Sequence, residues 1–268
     1  MRLTWLGHST VSLEVDGARV LVDPLLRRHA GVLRTVPRAR DAGRRVGAEP
    51  APEAVLLSHL HHDHCDLPTL RRLRARVVLA PTGAGAWLTR RGVPHVEELP
   101  VGRTCTVAGL VVTSVPAEHG GRREPWGPTA AAVGHLVESE RTSVWLAGDT
   151  GLFAGMSAIP SLGVRGVVDV AVVPVWGWGP RLGPGHLDPV EAVAAARAVG
   201  ARVAIPVHWG TLHVHGMSRV MGTRLTLPGA WFLRALGDRS ADRSGPDGGP
   251  GSRVEGLVLR PGEPVEIA

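Results

Sequence analysis

Ser58-His59-Leu60-His61-His62-Asp63-His64-Cys65-Asp66 (SHLHHDHCD, residues 58–66) holds four histidines, two aspartates and one cysteine. It follows Val55-Leu56-Leu57, an apolar run of the kind that forms a buried strand. Side chains two apart in extended backbone point the same way, so His59 and His61 can converge on one ion. Asp66-Leu67-Pro68 then reads as a helix start with Asp66 as its cap. The turn between swings Asp63 and His64 to the other side, where they can reach a second ion. Imidazole nitrogen and carboxylate oxygen at about 2.0–2.2 Å are what zinc takes. His62 and Cys65 fall between the convergent positions and are read as bystanders, with His62 facing solvent or the mouth of the site.

Four ligands do not complete two metal sites, so later segments must supply the others. Three apolar runs end in a ligand-type residue flanked by glycine. Residues 111–115 lead into Glu118-His119-Gly120, residues 144–147 into Gly148-Asp149-Thr150-Gly151, and residues 203–206 into His208-Trp209-Gly210.

HLHHDH, PAEHG, AGDTG and IPVHWGT, in this order along nearly the whole chain, resemble the metallo-β-lactamase-fold hydrolases. WLGHST (5–10), VDPLL (22–26), AGDTGLF (147–153), GHLDPVEAV (185–193) and HWGTL (208–212) resemble the branch that contains ascorbate-phosphate lactonase and N-acyl-phosphatidylethanolamine phospholipase D. The resemblance implies an α/β fold, a four-layer αββα sandwich. It implies a first metal held by His59, His61 and His119, a second held by Asp63, His64 and His208, and Asp149 bridging the two. Two divalent ions are expected, zinc first, with manganese or iron as alternatives. A water shared by two such ions becomes hydroxide near neutral pH and serves as the nucleophile. Asp63, Asp149 and His186 are the expected catalytic groups. By resemblance, His186 contacts the phosphate or leaving group; the other reading is that it orders a helix start together with Asp188.

Arg122 and Arg123 follow His119 closely and are expected to contact an anionic substrate, because guanidinium forks match phosphate oxygens; a solvated pair is the alternative. His8, in WLGHST, could donate to a ligand carboxylate, but a buried structural role beneath the site is the expectation. His29, His95, His135, His213 and His215 receive no catalytic role. In the Gly/Trp-rich run from Trp176 to His186 the glycine spacing does not match a dinucleotide fingerprint, and a substrate-pocket wall is the better reading.

The chain of 268 residues has 44% apolar residues and a formal net charge of +6, with no lysine. From Pro24 to Pro52 seven arginines face Asp41 and Glu49. That excess reads as a solvated loop or as an arginine-lined approach for an anionic substrate or a phospholipid surface. Strand-like runs occur at 3–6, 11–15, 19–22, 55–57, 77–79, 110–115, 131–137, 143–147, 168–173 and 203–206, with a last one at 254–259. Helical signals interleave at 68–75, 83–91, 189–199 and 228–236. One domain over 1–268 is expected, with 237–253 as a flexible loop. Two cysteines form no framework, and neither a signal peptide nor a spanning segment of roughly 20 apolar residues is evident, so a cytoplasmic protein is expected.

The leading functional expectation is a dinuclear metal-dependent hydrolase of a small anionic ester, a phosphodiester first and a phospholipid-like one among the candidates. A lactonase acting on a phosphorylated sugar lactone uses the same chemistry. An RNA-processing nuclease shares H-x-H-x-D-H, but Phe 2 and Tyr 0 leave little for base stacking, and no specific nucleic acid is expected. Di-iron flavoprotein relatives place a glutamate where this chain has His61, which favours hydrolysis over redox chemistry. A non-enzymatic metal-binding protein is the remaining alternative.

Overall fold

Apolar residues alternate between two destinations along the first strands. In β1 (Arg2–Gly7) Leu3 and Trp5 face one way and Leu6 the other; in β3 (Ala18–Val22) Val20 and Val22 oppose Leu21; in β6 (Ala54–Leu56) Ala54 and Leu56 oppose Val55. Strands apolar on both faces need cover on both faces. The computed structural model, which describes residues 1–123, 126–238 and 253–267, shows how they get it.

One sheet runs β17 (Pro264–Glu266), β1, β2 (Thr10–Val15), β3, β6, β7 (Val77–Ala80), β8 (Val96–Glu98). A second runs β16 (Glu255–Gly256), β14 (Val203–Val207), β13 (Val170–Pro174), β12 (Ser143–Leu146), β11 (Val133–Glu138), β10 (Leu110–Pro116), β9 (Thr104–Val107). Their facing sides interlock Leu3, Trp5, Leu13, Val20 and Leu56 with Val112, Val137, Leu146, Val172 and Ile205. On the outer face of the first sheet lie α1 (Pro37–Val46), α2 (Leu67–Leu73) and α3 (Gly85–Arg90), which contribute Ala42, Val46, Leu70, Leu73 and Leu88. On the outer face of the second lie α4 (Ile159–Leu162), α5 (Pro189–Ala198) and α7 (Pro228–Gly237), contributing Ile159, Ala192, Ala195, Ala196 and Phe232. The result is the expected αββα sandwich. A short helix α6 (Ser218–Met221) follows a small third sheet, β15 (Leu212–Val214), β5 (Leu33–Thr35), β4 (His29–Ala30). No helix among the described residues is long and apolar enough to cross a membrane.

The arginine-rich stretch is not the loop that one reading of its charge implied. It folds as the β4–β5 hairpin and then as α1, which buries Ala39, Ala42, Gly43 and Val46 and turns Arg38, Arg44 and Arg45 outward. The strand expected at 254–259 shortens to β16, and β17 pairs instead with β1, Leu3 opposite Val265. Of the expected flexible loop, residues 239–252 lie outside the described residues.

Helix α1 is seated directly on the end of β1. A Cβ at Gly7 would stand 2.6 Å from Ala39 Cβ, and Gly7 has φ +125° at a register irregularity in the β1–β2 ladder. Gly17, in the β2–β3 turn, also has positive φ, +84°, but a Cβ there would meet nothing within 4 Å. Gly7→Ala should therefore lower the unfolding free energy by about 1–3 kcal/mol more than Gly17→Ala, the cost of overpacking added to a backbone strain common to both. Urea unfolding of the two variants measures this; equal losses would mean that α1 is not tightly seated.

Candidate metal centre

The site lies where strands of both sheets end. His8 directly follows β1, Asp23 follows β3 and His208 follows β14; His59, His119 and Asp149 come three residues after β6, β10 and β12. His8, Asp23 and His208 have positive φ of 51°, 43° and 64°, backbone positions that cost non-glycine residues energy and persist only where the surroundings hold them. Gly148, φ +63°, is required as glycine: a Cβ would lie 2.7 Å from Ser58 Cβ and 2.9 Å from the Val133 carbonyl. That tight crossing brings Asp149 up against the histidine-rich turn.

His59, His61 and His119 form one group, with His61 Nδ1 standing 2.9 Å from His59 Nε2 and 3.1 Å from His119 Nε2. Asp63, His64 and His208 form another, joined by His8. Here His64 Nε2 is 3.2 Å from His208 Nε2, and Asp63 Oδ2 is 3.9 Å from each. Asp149 lies between the groups. Its Oδ2 is 3.2 Å from His64 Nε2, 4.0 Å from His59 Nε2 and 3.9 Å from His119 Nε2, while Oδ1 is 3.2 Å from His208 Nε2. Ligand atoms at about 2.0–2.2 Å from one tetrahedral ion stand roughly 3.3–3.6 Å apart; the donors here stand between 2.9 and 4.0 Å from one another, on either side of that spacing.

The other nitrogen of four of these imidazoles is held. His59 Nδ1 meets Ser58 Oγ at 2.9 Å, His119 Nδ1 donates to the Gly185 carbonyl at 2.8 Å, His208 Nδ1 to the Trp176 carbonyl at 2.7 Å, and His64 Nδ1 to Asp23 Oδ2 at 2.8 Å. Such bonds fix ring orientation and aim the inward nitrogen at the cluster.

Electrostatics point the same way. Burial is the main reason that His59 and His61 lie below the ordinary imidazole range and that His8 and His119 are pushed down to about 4. These rings are neutral near pH 7. Burial opposes ionisation of Asp63 and Asp149, but the surrounding imidazoles, His64 first for Asp63 and His208 first for Asp149, hold both carboxyls well below the usual range. His64 is raised well above the ordinary range against its own burial, because Asp149, Asp23 and Asp63 surround it. Asp149 Oδ1 is buried and makes no hydrogen bond. Two ionised carboxylates, the neutral imidazoles of His59, His61 and His119 and an unbonded carboxylate oxygen make a donor set that fits divalent cations, and His64, held protonated by its carboxylates, would release that proton to an ion.

His186 closes one side of the cluster. Its Nε2 is 3.4 Å from Asp149 Oδ2, and Nδ1 donates to the Pro184 carbonyl at 3.1 Å. Burial lowers its affinity for a proton, but the hydrogen bond to Asp149, the charge of Asp149 and the Pro184 and Gly183 carbonyls together outweigh that and raise its pKa. Asp188 caps α5 with Glu191 in a reciprocal box that does not involve His186. Beside His186 a cavity of about 450 Å³ is lined by Glu118, Leu152, Leu182, Gly185 and Asp188.

Two expectations are corrected. Arg123 is not a substrate contact: it is 7% exposed, donates to the Leu60 and Cys65 carbonyls at 2.6 and 3.0 Å, and lies over the Trp87 ring at 5.1 Å. It braces the metal-side turn from behind, with Nη2 2.9 Å from His62 Nδ1. Arg122 stays exposed, and its backbone bonds His61. His8 is not merely beneath the site, since its Nε2 donates to Asp63 Oδ2 at 2.8 Å. Asp23 was missed altogether, although, like His8, it has the same signal as the other site residues: a ligand-type side chain at the end of an apolar strand. As expected, Asp66 caps α2, accepting from the Thr69 amide at 3.1 Å. Cys65 is buried, which pushes its thiol up to about 12 and makes it inert.

Residues 18–209 match the family model described as the beta-lactamase superfamily domain. The chain is 35% identical over 215 residues, 79% of its own length and 85% of the relative's, to a UPF0173 metal-dependent hydrolase of Methanopyrus kandleri. It is 29% identical, over the full length of both chains, to a UPF0173 metal-dependent hydrolase of Rhizobium etli. Among solved structures it is similar to Igni18, a metallo hydrolase from Ignicoccus hospitalis, with TM-score 0.70 at 22% identity over 98% of this chain and 97% of that one.

Asp23 accepts from His64 Nδ1 and from the Ser58 hydroxyl and amide. Asp23→Asn should weaken metal binding by about ten- to a hundredfold, the usual effect of removing an outer partner of a liganding imidazole. Competition with a chromophoric chelator reads this directly; unchanged affinity would show that Asp23 does not orient His64.

Proposed function

The chain belongs to the beta-lactamase superfamily and is a metal-dependent hydrolase of it, and from that premise we propose that it hydrolyses a small anionic ester, a phosphodiester, with two divalent ions. In this reading His59, His61 and His119 hold one ion, Asp63, His64 and His208 the other, and Asp149 spans both; zinc is the expected metal, with manganese or iron as alternatives. The observation that carries the proposal is the convergence of the other six side chains, four of the imidazoles locked from behind, around the buried Asp149 carboxylate. When bound, such ions supply an activated water near neutral pH and polarise the scissile oxygen.

The residues around the cluster divide the remaining work. In this reading His186, which lines the cavity, keeps Nδ1 tied to the Pro184 carbonyl and carries a proton on Nε2, 3.4 Å from Asp149 Oδ2. It hands that proton to the departing oxygen, which leaves into the cavity. The anionic side of the substrate is assigned to the third sheet. There His29, Arg34 and His213 are paired across β4, β5 and β15 in one rung. The opposite face of that sheet packs Ala30, Leu33 and Leu212 against Leu25. The Arg34 side chain makes no hydrogen bond or ion pair among the described residues, and a guanidinium fork is suited to phosphate oxygens. The sheet is tied to the metal-side elements at both ends. Arg27 bonds Asp66 at 2.6 and 2.8 Å, and the Thr211 hydroxyl accepts from the His8 amide at 2.6 Å. Arg122, exposed beside His61, is a second anion contact in this reading.

Removing metal with a chelator should abolish turnover of bis(p-nitrophenyl) phosphate, zinc or manganese should restore it, and Asp149→Ala should lower kcat by at least about a hundredfold. An Asp149→Ala protein as active as the parent would sink the proposal. His186→Gln should slow esters of poor leaving groups by about 10²–10⁴-fold, the usual contribution of general acid catalysis, and p-nitrophenyl esters much less. Equal losses on both would remove the proton-donor role.

A further inference from the structure

His8 does more than fill space beside the metal cluster, and its surroundings show what. Its backbone is held in the left-handed region, φ 51°, by three hydrogen bonds: the amide donates to Thr211 Oγ1 at 2.6 Å, and the carbonyl accepts from Trp5 Nε1 at 2.8 Å and from the His208 amide at 2.9 Å. A strained residue held this firmly has a side chain whose direction is set in advance. That side chain is 3% exposed, lies over the His208 ring with centroids 3.8 Å apart, and places Nε2 2.8 Å from Asp63 Oδ2. Among the described residues Asp63 has no other side-chain hydrogen bond; its Oδ2 stands 3.9 Å from both His64 Nε2 and His208 Nε2.

We infer that His8 is a positioning residue for one of the two metal sites: its Nε2–H sets the Asp63 carboxylate between His64 and His208, so it governs the affinity of that site and not of the one formed by His59, His61 and His119. The inference rests on the two-ion reading. The side chain has two separable contributions, the hydrogen bond to Asp63 and the ring over His208. Glutamine keeps a donor and loses the ring; phenylalanine keeps a ring and loses the donor. All variants at this position share the same left-handed backbone, so differences between them report the side chain.

The test is a stepwise Co²⁺ titration of the metal-free full chain, followed by visible absorption and by chelator competition. The parent should bind two ions in resolved steps. H8F should weaken one step by about ten- to a hundredfold, as loss of an outer hydrogen-bond partner does, and leave the other within about threefold. H8Q should recover most of the lost affinity. If H8F binds both ions like the parent, or if H8F and H8Q lose both steps equally, the positioning role is wrong and His8 is packing. A parent protein that takes up fewer than two ions overturns the two-ion reading itself, whatever the His8 variants do.

Discussion

Asp149 is a buried carboxylate held between two groups of imidazoles, and the rest of the structure is organised around its charge. An ionised carboxylate taken out of water is costly unless cations or hydrogen-bond donors meet it. Asp149 is 2% exposed, and nitrogens of five histidines lie within 4.0 Å of its oxygens. Those histidines come from the turn after β6, the loop after β10, the segment before α5 and the end of β14. Bringing such distant segments to one carboxylate requires both sheets to end at the same edge, and the facing cores of the sandwich place them there.

The same demand explains where the backbone is strained. Gly148 must be glycine so that the β12 loop can cross against Ser58 and Val133. His8, Asp23 and His208 accept left-handed conformations at the strand ends. Each is then tied by hydrogen bonds to a neighbouring part of the site: His8 to Asp63, Asp23 to Ser58 and His64, His208 to Trp176. Arg123 adds a brace from outside, its guanidinium gripping the carbonyls of Leu60 and Cys65. The strain and the bracing serve one purpose, a set of inward-facing donors that does not have to reorganise to take up cations.

Much of this was readable from sequence wherever the relevant geometry is local. H-x-H-x-D-H after an apolar run carries its own periodicity, and His119, Asp149 and His208 stood out as polar residues closing apolar strands beside glycine. The αββα layering came through the family resemblance, and the interleaving of strand-like runs with helical signals agreed with it. What could not be read depends on pairing between distant segments. His8 and Asp63 meet because α1 and Thr211 fix the end of β1, and Asp23 reaches His64 through the β3–β6 pairing. The rung of His29, Arg34 and His213 exists only once β15 has paired with β5. Arg123 was misjudged because a guanidinium looks the same in sequence whether it meets solvent, phosphate or carbonyl groups. Helix α1 was obscured because its buried face is built from Ala39, Ala42, Gly43 and Val46, too slight an apolar stripe to stand out among arginines.

The central claim is that the two histidine groups on either side of Asp149 each hold a cation. Anomalous X-ray diffraction at the zinc edge, from crystals of the chain loaded with zinc, tests it most directly. The account predicts two peaks about 3.5–4 Å apart, the usual separation in paired-metal sites, one among His59, His61 and His119 and the other among Asp63, His64 and His208, with Asp149 touching both. A single peak, or peaks away from these residues, would contradict it.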